Sequence, residues 1–465
     1  MTKRFAVRSA ALLLSLFLSC AAAAPERRHE RARSAGDHAE PAPDPYPSRY
    51  EPLPRRDIWI AGAVILDGAG HRFADRAVLV RDGRIVELSP DASDPPPDVT
   101  VIDGRGRWLT PGIIVVHSHD GTYVAPSTAN DSEASEVSEI SDPIAAGAWV
   151  EHSITVQDPS FYRALESGVT TLQVLPGSIP LIGGRSVVLK PVPATTVQAM
   201  KFPGAVQGVK MTCGENARGY FGSKGRAPNS RMGAVEILRD AFGRARHEAG
   251  EGGRRRGDQD AQTLSGILAG TLPVHVHCYR ADEMAVMLDL AREFGFRIAA
   301  FHHAAEAYKI APLLAQSGTC VAVWPDWWGF KTEAADAVRA NAAIVEAAGG
   351  CVALHSDTPL TGQHLNLEVA KAMASGRRAG IPVAPEAAIR WITSNPAKIL
   401  GLGDRIGSIA AGKNADLVLW SGDPFSVYSK AEKVFVDGAL VFDRSDPARQ
   451  PRSDFEVGRI GREQR

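Results

Sequence analysis

Histidines follow four short apolar runs of this chain, each at the point where a strand would end. Two of them, His117 and His119, come directly after the run Ile113–Val116. Seven of the 13 histidines lie in these four groups. Any single one could be a core histidine with a satisfied hydrogen bond, but four groups in register indicate a shared site. The other groups are His275 with His277, His302 with His303, and His355 followed by Asp357.

Strand-like and helix-like stretches alternate between these groups. Residues 169–175 have the composition of a strand, and residues 282–294 and 305–317 that of helices. Such alternation predicts an α/β protein with βα units, and residues 111–402 suffice for a (β/α)8 TIM barrel with insertions. Barrel strands present catalytic groups at their carboxyl ends, so the histidines are expected at one mouth. The main insertion, residues 243–261, is predicted to be solvated.

The two ends of the chain carry short β-rich runs separated by Gly-containing turns. These runs occupy residues 57–110, as a predicted antiparallel meander, and return in residues 403–448. We therefore expect a small β-sandwich domain built from both ends, with the barrel inserted between them. Residues 449–465 are expected to form a C-terminal tail.

The first 24 residues have the pattern of a secretory signal peptide: a basic start, an apolar run and small residues near a cleavage point. The run Leu16–Cys20 resembles a bacterial lipobox, so Cys20 is a candidate for lipidation. A membrane-spanning helix is disfavoured, because the apolar run is shorter than the ~20 residues that span a bilayer. Residues 25–56 are rich in Pro and charge and predict a disordered tether. We expect an exported protein that is periplasmic, membrane-anchored through Cys20, or secreted.

Composition excludes several classes of partner. The chain has 52 Lys and Arg against 53 Asp and Glu, so no overall field attracts nucleic acid or an anionic membrane. A small-molecule substrate is the expected partner, and a homodimer is expected by analogy with similar barrels. Four further cysteines show no C-x-x-C spacing and are interpreted as small buried hydrophobes rather than a disulfide framework. They are Cys213, Cys278, Cys320 and Cys351.

Strand alternation gives the histidines an expected direction. It places His117 and His119 on one face, where both imidazoles can reach one metal ion. His275 likewise shares a face with the histidine two residues further on and is expected to be a deeper supporting donor. His302, by contrast, is expected to point outward into the helix layer if His303 points in.

These motifs resemble those of the amidohydrolase superfamily. The segments Pro111–His119 and His355–Asp357 carry the resemblance, as do Ser394–Gly401 and Gly407–Leu417 near the end of the chain. The resemblance covers about residues 57–443. It implies a metal-dependent hydrolase that acts on C-N bonds other than typical peptide bonds, on a TIM barrel with an added β domain.

A narrower resemblance, to the imidazolonepropionase-related branch, rests on Gly183–Lys190 and Val209–Asn216. The leading interpretation is hydrolysis of an amide, cyclic amide or dipeptide-like bond. Three alternatives stay open: deacetylation of an N-acetyl sugar or amino acid, cleavage of Xaa-Pro dipeptides, and a non-catalytic amidohydrolase-like scaffold. A complete set of ligand residues argues against the scaffold.

Carried over residue by residue, the resemblance implies a centre with one or two divalent ions, with zinc as the expected metal. Lys210 matches a lysine that is carbamylated and bridges two ions in binuclear members; Glu215 as the bridge, or a single ion, are alternatives. Asp357 matches the catalytic aspartate, and His355, on the same face, is expected to orient it. The implied metal ligands are His117, His119, Lys210, His277, His303 and Asp357.

The implied chemistry is hydrolysis by activated water. A bound divalent metal lowers the pKa of its water to ~7 and polarises a carbonyl group. Asp357 would accept the proton and deliver it to the leaving nitrogen. Arg185, Tyr279 and Arg280 lie near strand ends and are candidates for binding a substrate carboxylate, with loop packing as the alternative role of each.

Overall fold

The computed structural model describes residues 44–90, 93–123, 135–250 and 258–450. Several predictions concern residues outside these ranges: the signal peptide, Cys20, the tether up to residue 43, part of the insertion and the tail from residue 451. None of the helices in the described ranges combines the length and apolar character that crossing a membrane requires.

The strands of the described ranges fall at both ends of the chain and, interspersed with helices, between them. In chain order they are β1 Ile58–Leu66, β2 Arg72–Arg81, β3 Arg84–Ser89, β4 Thr100–Asp103, β5 Trp108–Pro111, β6 Ile113–Ser118, β7 Val169–Val174, β8 Ile182–Arg185, β9 Val187–Leu189, β10 Val209–Thr212, β11 Val274–Cys278, β12 Ile298–His303, β13 Cys320–Val323, β14 Val352–Leu354, β15 Leu417–Trp420, β16 Ala431–Val436 and β17 Ala439–Asp443.

The helices lie between β6 and β15, and their ends follow local sequence signals. The helix Ala281–Phe294, for example, carries Asp282 and Glu283 in its first turn. It is capped at its carboxyl end by Gly295, which adopts φ 76°. The helices are α1 Pro159–Glu166, α2 Glu215–Ser223, α3 Arg231–Gly250, α4 Gln259–Leu268, α5 Ala281–Phe294, α6 Ala311–Ser317, α7 Asn341–Ala347, α8 Pro359–Gly362, α9 Leu365–Arg378, α10 Pro385–Ala388 and α11 Ser394–Ile399.

Strands from the two ends form one eight-stranded sheet. Its order is β17-β16-β15-β5-β1-β2-β3, with β4 paired to β1. The two ends meet where β5 pairs antiparallel with β15, with Pro111 opposite Leu417. The predicted antiparallel meander is wrong for β4 and β5, because both pair parallel with β1. Ile60, Ile65 and Phe435 pack in the buried core of this sheet.

The remaining strands form two sheets that carry the histidine groups. One has the order β14-β13-β12-β11-β10-β8, in which β10 to β14 run parallel. The other has the order β6-β7-β9, in which β6 and β7 run parallel. The outer strand β14 of the first sheet lies near the outer strand β6 of the second. Asp357 N, just after β14, donates to His117 O in β6 at 3.0 Å. The carboxyl ends of these parallel strands therefore surround one region.

The strand pair β8 and β9 departs from the parallel pattern. β8 pairs antiparallel with β10, and β9 pairs antiparallel with β7. Gly184 in β8 adopts φ 102°, and a Cβ atom there would lie 2.1 Å from Ala148 O. Only glycine allows this backbone conformation and this close approach, so Gly184 is required where the chain passes from one sheet to the other.

The cysteine interpretation is wrong: the four cysteines form two disulfides, Cys213–Cys278 and Cys320–Cys351. Each pair joins residues at matching ends of neighbouring parallel strands, with Cα atoms 5.1 and 4.5 Å apart. The partners are 65 and 31 residues apart in sequence. Spacing along the chain could not reveal them, because strand pairing brings them together.

Residues 44–56 differ from the predicted tether, because they pack on the folded chain. The ammonium group of Lys201 donates to Asp44 Oδ2 and to Tyr46 O, both at 2.6 Å, and to Glu151 Oε2 at 2.7 Å. Tyr50 OH donates to Asp437 Oδ2 at 2.7 Å. Hydrogen bonds and ion pairs, rather than aliphatic burial, hold this segment, which is why its low apolar content was misleading.

Candidate metal centre

The two histidines after β6 face the same region, as the alternation predicts. Their Nε2 atoms are 3.3 Å apart. His119 is fixed by a hydrogen bond from Nδ1 to Leu175 O at 2.8 Å. Because Nδ1 carries the proton in this contact, Nε2 presents its lone pair to the interior, as a metal ligand must.

Asp357 brings a carboxylate to the same point. Its Oδ1 lies 3.2 Å from His117 Nε2 and 3.3 Å from His119 Nε2. Burial raises the pKa of Asp357, but its close contact with His119 and the neighbouring basic groups outweigh burial and hold the pKa at about 2. The group is therefore a carboxylate at neutral pH. His117, His119 and Asp357 place their ligand atoms within 4.8 Å of one another.

A second group of ligand atoms shares His117. It consists of His117, His303 and His355, whose ligand atoms also lie within 4.8 Å of one another. The ring of His355 is stacked on that of His117, with centroids 4.9 Å apart. Both His355 nitrogens are buried, and no described residue hydrogen bonds to either. Among the described residues, His355 therefore makes no hydrogen bond that would orient Asp357. Its two nitrogens are instead available to bind a ligand at the centre.

His277 borders this cluster from β11. Its ring is edge-on to that of His303, with centroids 4.4 Å apart, and its Nε2 is 3.4 Å from Asn216 Nδ2. The Nδ1 atoms of His277 and His303 are buried, and no described group hydrogen bonds to them. Buried nitrogens without partners are costly in a folded chain unless a ligand satisfies them.

The side chain of Lys210, in β10, extends to the same histidine cluster. Its Nζ lies 3.2 Å from His117 Nε2. Burial lowers its pKa to about 7, an effect that Asp357 partly opposes. Glu215, the alternative bridging residue, begins α2, and its carboxylate instead lies 3.9 Å from Lys331 Nζ. It belongs to neither of the two ligand groups among the described residues.

The prediction that His302 points outward is wrong. Its Nδ1 lies 3.1 Å from His117 Nδ1, and the residue is fully buried in the interior. Strand alternation fails here because His303 adopts φ 69°, and Ala304 φ 40°, in the left-handed region. The backbone turns at the end of β12, so two consecutive rings face the same region.

The candidate substrate residues separate in space. Tyr279 is buried, and its ring stacks on that of His303 with centroids 5.0 Å apart. Arg280 instead pairs with Asp282 on the exposed surface. Arg185 donates to Thr263 Oγ1 at 2.9 Å and lies over the Trp149 ring, at 4.6 Å from its centroid. Only Tyr279 of the three contacts the histidine cluster.

Sequence reasoning missed an aromatic wall beside His303. The ring of Trp324 lies 4.3 Å from that of His303 and stacks on Trp327 at 4.8 Å. Trp324 Nε1 is buried, and no described residue accepts its hydrogen bond. Lys331 covers Tyr279, with Nζ 4.1 Å from the ring centroid. Trp324 directly follows β13, so its position at a strand end is the signal that could have found it.

The donor set fits a divalent metal ion. Ring nitrogens and a carboxylate oxygen converge, as zinc and similar ions require, and several of the nitrogens are buried without a described partner. Burial lowers the pKa of His117, His277 and His303 well below the usual value, with neighbouring positive groups adding to the effect. The three rings are therefore neutral at neutral pH, which is the form that binds metal.

Several known proteins are similar to this chain. The amidohydrolase family model matches residues 269–442. The amidohydrolase tasK of Hapsidospora irregularis is 33% identical over 79% of this chain, which covers only 40% of that protein's length. Imidazolonepropionase of Mesorhizobium japonicum is 26% identical over 77% of this chain and 90% of its own.

One similar protein with a solved structure matches this chain over its own full length. The crystal structure of an amidohydrolase from Thermotoga maritima is 31% identical, with a TM-score of 0.77. The match covers 83% of this chain and 100% of that one. A similarity at 31% identity that covers the whole of a related chain shows that this protein is a hydrolase of the amidohydrolase family, and the chain is also similar to imidazolonepropionase.

Proposed function

We propose that this protein is a metal-dependent amidohydrolase that cleaves a C-N bond in an amide, cyclic amide or dipeptide-like small molecule. The observation that carries the proposal is the convergence of His117 Nε2, His119 Nε2 and Asp357 Oδ1 within 3.3 Å of one another. The similarity to a relative named for an imidazolone substrate supports a cyclic amide. We further propose that the two sheets belong to one (β/α)8 barrel, with the terminal sheet as the added β domain.

The proposed ligands occupy the ends of several strands. One ion would be held by His117, His119 and Asp357, and His277 and His303 lie across the cluster with unpartnered nitrogens. Such an ion, with zinc as the proposed metal, supplies a Lewis acid that activates water and polarises a carbonyl group.

We propose that Lys210 is carbamylated and that its carbamate would help to hold a second ion beside the first. Its amine is buried beside His117, and no described carboxylate lies within ion-pair distance of it. Carbamylation joins the amine nitrogen to CO2 with loss of one proton, and it yields a carboxylate at this position. A buried lysine with a lowered pKa has the neutral amine that this reaction requires.

Asp357 has the position and charge of the proton carrier. Its carboxylate would accept a proton from the attacking water and release it to the leaving nitrogen, so that the scissile C-N bond breaks without an amide anion. The low pKa keeps Asp357 in the carboxylate form at neutral pH, which is the form that can accept a proton.

The aromatic wall forms the proposed substrate side of the centre. Tyr279 and Trp324 flank His303, and Trp324 Nε1 is a buried donor without a described partner. A substrate carbonyl or carboxylate oxygen would satisfy this donor. Arg185 and Arg280, engaged elsewhere, are not proposed as substrate ligands. Export, with lipidation of Cys20, is also proposed from the sequence pattern alone, and a homodimer is proposed by analogy with similar barrels.

To test this proposal, zinc-loaded protein is incubated with a panel of N-acyl amino acids, cyclic amides and Xaa-Pro dipeptides. Release of the amine is measured with wild type, Asp357→Asn, and Asp282→Asn as a surface carboxylate control. We expect Asp357→Asn to lower kcat by about 10²–10⁴-fold on any substrate that turns over. Undiminished turnover by Asp357→Asn would overturn the assignment, and an inactive wild type with bound metal would overturn the C-N substrate class.

A further inference from the structure

Beneath His117 lies a line of buried side chains that the proposed chemistry does not use. His117 Nδ1 is 3.1 Å from His302 Nδ1, and His302 Nε2 is 3.0 Å from His275 Nδ1. His275 Nε2 is in turn 3.3 Å from the side-chain amide of Gln173. His117, His302 and His275 are each 0% exposed and Gln173 is 1% exposed, so water does not terminate the line.

A line of neutral imidazoles has two directions. Each neutral ring carries one N–H, so it donates a hydrogen bond from one nitrogen and accepts one at the other. If His275 donates toward Gln173, then His302 donates to His275 and His117 donates from Nδ1 to His302. If the line runs the other way, His117 Nδ1 accepts, and its proton resides on Nε2.

Only the first direction suits a metal ligand. His117 Nε2 faces His119, Asp357 and Lys210, so this is the nitrogen that must present a lone pair to an ion. His119 has the simple arrangement, in which Nδ1 donates to a backbone carbonyl. In the described part of the chain, the partner of His117 Nδ1 is His302 and not a carbonyl group. The tautomer of His117 therefore depends on His275 and Gln173, which lie further along the line.

The orientation of the Gln173 side-chain amide, at the far end of the line, sets the direction in which the histidines donate. The amide nitrogen of Gln173 lies 2.8 Å from Ser186 Oγ and 3.3 Å from His275 Nε2, while its oxygen is buried and no described group donates to it. Ser186 Oγ already accepts from Gly208 N at 2.9 Å. Rotating the amide by 180° leaves its shape unchanged and turns the oxygen toward both His275 Nε2 and the Ser186 hydroxyl, each of which then donates to it.

We propose that Gln173, acting through His275 and His302, holds His117 in the Nδ1-protonated tautomer, with the amide oxygen toward His275, and thereby sets the affinity of the metal centre. These three are positioning residues, because none of them touches the ion or the substrate. The inference rests on the proposed function in one respect, the assignment of His117 as a ligand through Nε2.

The first test compares two substitutions of nearly equal size. Gln173→Met removes the acceptor, whereas Gln173→Glu keeps an acceptor that, as a carboxylate, cannot donate. Zinc affinity is measured by competition with a chromophoric chelator. We expect Gln173→Met to bind zinc about 10- to 100-fold more weakly than wild type, the range typical of lost supporting contacts. Gln173→Glu should bind at least as tightly as wild type. Wild-type affinity in Gln173→Met, or equal weakening in both variants, would overturn the proposal.

The second test uses wild-type protein and does not depend on how the variants fold. Nitrogen-15 NMR of metal-free protein labelled at histidine distinguishes the two tautomers of each neutral ring. We expect the proton of His117 on Nδ1, with its signal assigned by its loss in His117→Asn, and a shift toward the other tautomer in Gln173→Met. A proton on Nε2 of His117 in wild type would overturn the inference. A wild type that binds no zinc but shows the expected tautomer would instead overturn the metal assignment.

Discussion

His302 and His303 are consecutive residues of one strand, yet both rings lie against His117, with centroids 4.7 and 5.1 Å from it. The left-handed turn at His303 gives His117 one neighbour among the proposed ligands and another beneath them. One strand end thus contributes both to the metal centre and to the buried line that supports it.

Buried neutral histidines predict that the metal-free protein loses stability in mild acid. Burial is the largest cause that lowers the pKa of His275 and of His355 from the usual 6.5 to about 3. Between these values the unfolded chain binds more protons than the folded one, so the free energy of unfolding falls as pH drops through 6.5 toward 3. The slope is about 1.4 kcal/mol per pH unit for each such histidine.

Urea denaturation of metal-free protein from pH 7 to pH 4 measures this slope. His275→Gln should reduce it by about 1.4 kcal/mol per pH unit, because one proton-linked group is removed. His364→Gln, at an exposed histidine, should leave it unchanged. Equal slopes in wild type and His275→Gln would contradict a neutral buried His275.

Disulfide bonds predict a protein that reducing agents weaken. The Cys213–Cys278 bond closes a loop of 65 residues, and closing such a loop is worth about 4 kcal/mol in the chain-entropy model. Cys213→Ser with Cys278→Ser should lower the free energy of unfolding by about that amount. Mass spectrometry of alkylated, unreduced protein should show neither cysteine modified, and full alkylation of both would contradict the pairing.

The buried ion cluster around Lys190 predicts a large loss of stability on its removal. Lys190 Nζ lies 3.3 Å from Asp416 Oδ2 and 3.1 Å from Asp437 Oδ2, and the lysine is 0% exposed. Lys190→Met leaves two buried carboxylates without their shared positive charge and should cost about 3–5 kcal/mol of stability, measured by denaturant unfolding. Lys309→Met, which breaks an exposed pair with Asp336, should cost about 1 kcal/mol or less. Similar losses in the two variants would show that Lys190 is not paired as described.

The sequence was sufficient for the parts of the site that depend on local periodicity. Alternation placed His117 and His119 on one face, and their position at a strand end brought them to Asp357. It failed at His302, because the positive φ of His303 turns the His303 ring to the same side of the strand as the His302 ring. No pattern of apolar residues encodes that backbone change.

Contacts between distant segments lay beyond local reasoning. The two disulfides depend on which strands are neighbours, and Trp324 reaches His303 only because β12 and β13 are paired. The segment containing Asp44 and Tyr50 is held by Lys201 and Asp437, which are far along the chain. Polar partners of this kind leave no periodic signal in the segment itself.

Metal content of the purified protein after equilibration with zinc and removal of excess tests the central claim most directly. Elemental analysis should give one to two equivalents of zinc for wild type and for the exposed-histidine control His364→Asn. His119→Asn and Asp357→Asn should retain well under one equivalent, and Lys210→Ala no more than about one. Absence of zinc from folded wild type, or undiminished zinc in both His119→Asn and Asp357→Asn, would contradict the account.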